Sequence, residues 1–280
     1  MIIIYPFRSC SVALKFICCP LARHLYHYLT PLLSHFSTNG IPYFSVVFKQ
    51  LDKLMSDEVI SFLNQNEHPD AAYSRLIFSV YLEVKDLATF HQNLPSGGDH
   101  KLLLVRCHEW FEPSVSCWLI VCKAKALQRV RTSVELQKPC EGDKLVKHSS
   151  SAVDVVAMFC QLRDFWRLLQ WPKAHSIPLL SQLLDCVCSA ALLYADITYQ
   201  GLMETGYFDR MGPFKICDEM CIASNNLEYV YKFVSLLGLF SDVNLTSDVT
   251  STCCRKLLRL RDIRNNSFGS AVRYINQPIR

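Results

Sequence analysis

Residues 147–171 read KHSSSAVDVVAMFCQLRDFWRLLQW. Val155, Phe159, Leu162, Trp166 and Leu169 follow one another by four, three, four and three, the spacing that sets side chains on one face of an α-helix. Ser149, Ser150 and Ser151 are candidate N-caps. Asp154 is read in the first turn, where a carboxylate suits the positive end of the helix dipole. Trp171-Pro172 closes the helix, because the residue before a proline is pushed out of the α region. Arg163, Asp164 and Arg167 fall opposite the apolar stripe, so the helix lies on a core with one side in water.

The same pattern recurs on both sides. Downstream, Ser176-Ile177-Pro178 opens a helix with Leu180, Leu184, Val187, Ala191 and Tyr194 on its seam. Another spans about Ile216 to Leu237, with Met220, Ala223, Leu227, Val230, Val234 and Leu237 on one side and Gly238 as its stop. Upstream, a helix is expected from Tyr43 to about Asn66, although FSVVF in its first half also fits a strand. Pro69-Asp70 begins the next, with Tyr73, Ile77, Val80, Val84 and Leu87 as its stripe. A segment from His100 to Glu112 follows. Pro113 is expected to start a separate helix as its first residue, with Val115, Leu119, Cys122, Ala126, Val130 and Val134 on its apolar face. Steps of three and four over successive segments, with short loops between, describe an all-α antiparallel bundle or a stack of bundles. The strand–helix alternation of a parallel α/β sheet is missing from the sequence.

Composition agrees. The chain has 280 residues, half of them hydrophobic and 19% charged, enough to bury a large core. Nine glycines are few for this length, which disfavours glycine-rich phosphate loops. The excess of 29 basic over 25 acidic residues is too small to argue for nucleic acid. The apolar N-terminus, MIIIYPFRSCSVALKFICCPLA, is cut by Pro6, Arg8, Lys15 and Pro20 into pieces too short to span a bilayer. It is read as a core helix or a ragged start in preference to a signal peptide.

Fourteen cysteines raise the question of disulfides or metal. They are scattered, many inside apolar helical runs where a free thiol acts as a small hydrophobe, so a reducing, cytoplasmic compartment is expected. Cys217 and Cys221 stand one helical turn apart with Cys186 and Cys188 upstream, but no paired CxxC knuckles accompany them. Cys107-His108 are sequence neighbours, which on a helix point in different directions. No metal, cofactor or catalytic residue is therefore assigned, and phosphate-loop and nucleophile-elbow motifs are absent from the sequence.

Two basic clusters remain: Lys123, Lys125, Arg129 and Arg131, and then Arg255, Lys256, Arg259, Arg261 and Arg264. The plain reading is a solvated helix face. The functional reading is contact with acidic headgroups or an acidic partner helix through Lys123, Lys125, Arg129, Arg255, Lys256 and Arg259. Asn225 and Asn226 are unusual in mid-helix; they either satisfy a buried loop's backbone or cap a break between two shorter helices.

Four ordered motifs carry a family resemblance: WFEPSVSCWL (110–119), SAVDVVAMFCQL (151–162), LLYADI (192–197) and CIASNNLEYV (221–230). Together they resemble the MUN domain of the Munc-thirteen family, in its first Munc homology region and the helices before it. KALQRVRTSVEL followed by VKHSSSAVDV is similar to the non-neuronal branch, that of the brain angiogenesis inhibitor-associated protein and the haematopoietic priming factor. The resemblance covers about Tyr43 to Leu237. It suggests a division into an N-terminal helical segment (1–42), a MUN portion (43–240) and a polar, basic tail (241–280).

The resemblance implies an elongated stack of helical bundles, akin to tethering complexes. It implies a non-enzymatic factor for vesicle docking and priming in exocytosis, cytoplasmic and peripheral to membranes. The implied partners are syntaxin and other SNARE proteins, with a vesicle small GTPase as a further one; anionic membrane as a peripheral contact is read from the basic clusters above. Neuronal members carry an Asn-x-x-Phe pair implicated in contacting syntaxin; here Cys160 and Arg163 hold the matching positions, so that contact does not carry over. Cys160, Arg163, Arg167, Asn225 and Asn226 are the candidate partner-binding residues. Flanking C-two domains are not recognisable, and the chain reads as a fragment or truncated product. The competing class is a helical metal-binding or cysteine-dependent enzyme, which predicts Cys and His side chains converging on a cavity.

Overall fold

The computed structural model describes residues 38–39, 43–64, 71–92, 102–137, 148–204, 217–235, 255–256 and 258–266. The described residues are helical with no strand among them, so the all-α expectation holds. In chain order the helices are α1 (Tyr43–Asn64), α2 (Ala71–Gln92), α3 (Cys107–Glu135), α4 (Ser150–Leu169), α5 (Ile177–Glu204) and α6 (Asp218–Ser235). A further helical run covers residues 258–266. The N-terminal apolar stretch, Leu237 with Gly238 and the residues after 266 lie outside the described residues. The chain divides into two compact units, and the division falls inside α3 between Trp118 and Leu119.

In the first unit, α1 and α2 both pack against a 3-10 turn, Leu103–Arg106, that leads directly into α3. FSVVF is helical, as the rest of α1 dictates. Ile77, Val80, Val84 and Leu87 of α2 are buried in the predicted stripe, joined by Phe78 and Tyr81. Phe78 meets Trp118 edge-on with ring centroids 5.0 Å apart, and Tyr81 meets Phe111 at 5.4 Å. Asp52, on α1 and buried, accepts from the backbone N–H of Leu103 at 2.8 Å and of Leu104 at 2.9 Å. A helix start has backbone donors with no partner inside the helix, and here a carboxylate from another helix accepts from two of them.

Pro113 does not begin a helix; it lies within α3. Proline in a helix interior removes one backbone hydrogen bond and crowds the preceding turn, at a cost of ~3 kcal/mol. The seam explains why the helix survives. Phe111, Val115, Leu119, Cys122, Ala126 and Val130 are all at most 3% exposed and run unbroken across the proline.

The second unit holds the rest of α3, then α4, α5 and α6, which pack on one another, α5 against α6 most extensively. Leu180, Leu184, Val187, Ala191 and Tyr194 of α5 are buried as their spacing requires. So are Met220, Ala223, Leu227, Val230 and Val234 of α6. On α4, Val155, Phe159, Leu162 and Leu169 are buried and Trp166 is half-buried. Ala152, Val156, Met158 and Phe165 widen the stripe, because α4 has neighbours on more than one side.

Among the described helices, α5 is long and apolar enough to cross a membrane. Its twelve buried side chains and its ion-paired Asp185 and Asp196 are those of a helix at the centre of a protein core. α4 ends one residue before the expected stop. Gln170 takes the left-handed conformation (φ 43°, ψ 47°), and its N–H donates to the Arg167 carbonyl at 3.2 Å.

Candidate interaction site

Of the three serines before α4, Ser149 is the N-cap; its Oγ accepts from the Ala152 N–H at 3.4 Å. That hydroxyl belongs to a buried polar cluster. Asn226 of α6 accepts the Ser149 backbone N–H on Oδ1 at 2.9 Å and donates from Nδ2 to Ser149 Oγ at 2.8 Å. Ser151 Oγ lies 2.9 Å from Ser149 Oγ and 3.2 Å from the Tyr194 hydroxyl, and it donates to Gln137 at 2.6 Å. His148 stacks on Tyr229 at 4.5 Å. Burial pushes the Tyr194 phenol above its usual value, against hydrogen bonds that pull it down. The cluster ties the residues just after α3 to α4, α5 and α6 at one end of α4. It offers no group poised to attack a substrate.

Asn226 thus takes the first of its two expected roles, satisfying backbone at a buried turn, and α6 runs through it unbroken. Its side chain is 3% exposed and committed to Ser149, whereas Asn225 faces outward. Beside this cluster, a cleft of about 410 Å³ opens between the end of α3, the last turns of α5 and the start of α6. Val134, Ile197, Leu202, Ile222 and Ala223 give it an apolar floor, and Asp218 and Glu219 stand at its α6 edge.

Cys160, Arg163 and Arg167 recur at three and four along α4 and form one ridge. Cys160 and Arg163 are half-buried and Arg167 is exposed. The Arg163 guanidinium sits 5.9 Å from the Phe233 ring centroid of α6 and bonds Asp164 at 3.1 Å.

The basic clusters are not simply a solvated face. Arg129 pairs with Asp154 of α4, through Nε at 3.0 Å and a second arm, and Ser133 also donates to that carboxylate. Asp154 lies in the second turn of α4, and it binds α3 rather than the helix dipole. The Arg129 hydrogen bonds hold its carboxyl below the ordinary value, outweighing partial burial.

Asp185 of α5 accepts from both Lys123 and Lys256. Burial pushes its carboxyl up, and the two ammonium groups more than reverse that. Lys256 also donates to Ser189 at 2.8 Å. Arg259 pairs with Asp196 at 3.3 Å, and Arg264 pairs with Glu228 at 3.1 Å while lying 4.5 Å over the Tyr231 ring. Lys125 and Arg255 are exposed. Sequence spacing brings out the clusters but not their acidic partners, which lie 25 to 71 residues away.

The described cysteines are free thiols. Burial pushes Cys107 up to about 11 and Cys186 up to about 12, and raises Cys122 as well. These side chains stay protonated near neutral pH, the reverse of what a nucleophile or metal ligand needs. Among the described residues no three His, Cys, Asp or Glu side chains group as metal ligands, Cys217 and Cys221 included.

No protein-family model matches the sequence. Individual proteins do. The chain is 30% identical over 184 residues to protein unc-13 homolog 4B of Drosophila melanogaster, a match covering 65% of this chain and 15% of that protein. It is 27% identical over 198 residues to human protein unc-13 homolog D, covering 69% and 18%. It is 26% identical over 197 residues to human BAI1-associated protein 3, covering 69% and 16%. The chain is thus similar to helical proteins of the MUN-domain class, and its described residues share their all-α character. The chain is a relative of the unc-13 homologues and of BAI1-associated protein 3, as its four ordered motifs indicate. It spans less than a fifth of the length of each.

Proposed function

We propose that this chain is a non-enzymatic vesicle-priming factor that grips a helix of a SNARE protein, syntaxin first, in a groove between its own helices. The observation that carries this reading is the match to unc-13 homologues across about two thirds of the chain. The structure supplies a compatible chemistry. An apolar, acid-edged cleft and a ridge of exposed and half-buried polar residues suit helix-in-groove recognition. The ridge is Cys160, Arg163 and Arg167 of α4; Asn225 is exposed on α6, beside the residue that bonds Ser149 at the start of α4. The raised thiols disfavour a cysteine-dependent enzyme. Work at the cytoplasmic face of vesicle or plasma membranes follows from this role, with a vesicle small GTPase as a further partner.

The deciding experiment is a pull-down with syntaxin alone and with assembled SNARE bundles, comparing wild type with Arg163→Glu. Retention by wild type and loss on charge reversal is the expected result. Failure of folded wild-type protein to retain either probe would refute the proposal.

A further inference from the structure

Asp185 and Asp196 are eleven residues apart on α5, close to three helical turns, and so share one face about 16 Å long. Glu228 of α6 extends this acidic seam. Lying along it are residues 255–256 and 258–266 of the run RKLLRLRDIRNN, which has five basic residues against one acid. Lys256, Arg259 and Arg264 each take one seam carboxylate, and Leu260 beside them is buried at 1% exposure. Leu258 stays 45% exposed, and Arg259 and Arg261 keep 64% and 46% of their side chains in solvent.

We propose that segment 255–266 is a displaceable strap which leaves the acidic seam of α5 and α6 to bind the surface of an anionic phospholipid membrane. The physical case is an exchange of partners. Solvent-exposed ion pairs such as Arg259–Asp196 are weak and screened by salt. Near a charged bilayer each cation meets several headgroups at once, and Leu260, on the face that leaves the seam, gains an apolar phase to enter. One face of the segment therefore serves two surfaces, one at a time. The seam acts as an internal competitor that sets the threshold of surface charge needed for binding. This inference is independent of the SNARE partner proposed above.

The test uses the full chain and vesicles of phosphatidylcholine, alone or mixed with phosphatidylserine. Zero-length carbodiimide coupling of wild type, read by mass spectrometry, yields a Lys256–Asp185 linkage in solution and with neutral vesicles. On phosphatidylserine vesicles that linkage is lost. An unchanged yield on vesicle-bound protein overturns the proposal, and no variant has to fold for this reading.

In parallel, Asp196→Asn with Glu228→Gln frees two of the three paired cations and raises partitioning onto phosphatidylserine about tenfold. Arg255→Gln with Arg259→Gln and Arg261→Gln abolishes it. A folded seam variant that binds no better than wild type overturns the proposal, as does a strap variant that still binds. Equal capture of the seam variant by a polyglutamate peptide of matched charge overturns the lipid assignment.

Discussion

Asn226 holds Ser149 at two points, donating to its hydroxyl at 2.8 Å and accepting its backbone N–H at 2.9 Å, across 77 residues of chain. The pair fixes where α4 begins relative to α6. Removing the amide leaves the buried Ser149 N–H without its acceptor, at a cost of ~1–3 kcal/mol, while the Ser149 hydroxyl keeps Ser151 and the Ala152 N–H. Asn226→Ala is expected to lower stability by about 1–3 kcal/mol in urea unfolding, with Asn225→Ala within about 0.5 kcal/mol of wild type. Equal effects at the two neighbours would show that the contact does not hold α4.

The Arg129–Asp154 pair makes stability depend on acid. Asp154 titrates below its ordinary value in the folded protein because Arg129 and Ser133 bond the ionised form. Its contribution is therefore fully present above the unfolded carboxylate value near 4 and is lost as pH falls through the lower, folded value. Asp154→Asn is expected to cost about 1–2 kcal/mol at neutral pH. Its deficit against wild type should shrink as pH falls below about 4 in denaturant titrations at fixed ionic strength.

Two glycine exchanges of opposite direction are expected to raise the melting temperature. Gln170 carries a side chain in the left-handed region, where glycine is favoured by ~1 kcal/mol. Gly201 sits inside α5 with nothing within 4 Å of where a Cβ would stand, and alanine there gains ~0.5–1 kcal/mol. Calorimetry of Gln170→Gly and Gly201→Ala reads both.

Thiol labelling separates structural from accessible cysteines. Cys107 and Cys186, buried and pushed up to about 11 and about 12, are expected to resist iodoacetamide at pH 7.5 in the native protein. Exposed Cys221 should react within minutes. Prompt native-state modification of Cys186 would mean that α5 opens locally.

The helices were legible because burial is periodic. Every seam residue expected on α5 is buried, and α6 matches over its described length, since steps of three and four report which side of a helix faces inward. Polar partners leave no such trace. Nothing local to Asp154 distinguishes a dipole-facing carboxylate from one bound to Arg129, and nothing local to Lys256 points to Asp185, 71 residues earlier. Pro113 misled for a related reason. Local propensity favours a helix start there, but a buried seam on both sides outweighs it. The candidate ridge on α4 was visible as spacing. The cleft was not, because it is made by three helices that meet only in the fold.

Asp52 carries a consequence for anyone dissecting this protein. The first turn leading into α3 takes two of its acceptors from α1, about fifty residues upstream. A version trimmed to begin after α1 would keep every residue of α3 and still leave the two amides of the turn that leads into it naked. Trimming there should loosen the 3-10 turn and fray the start of α3, so the shortest well-behaved piece of the N-terminal unit is one that retains α1.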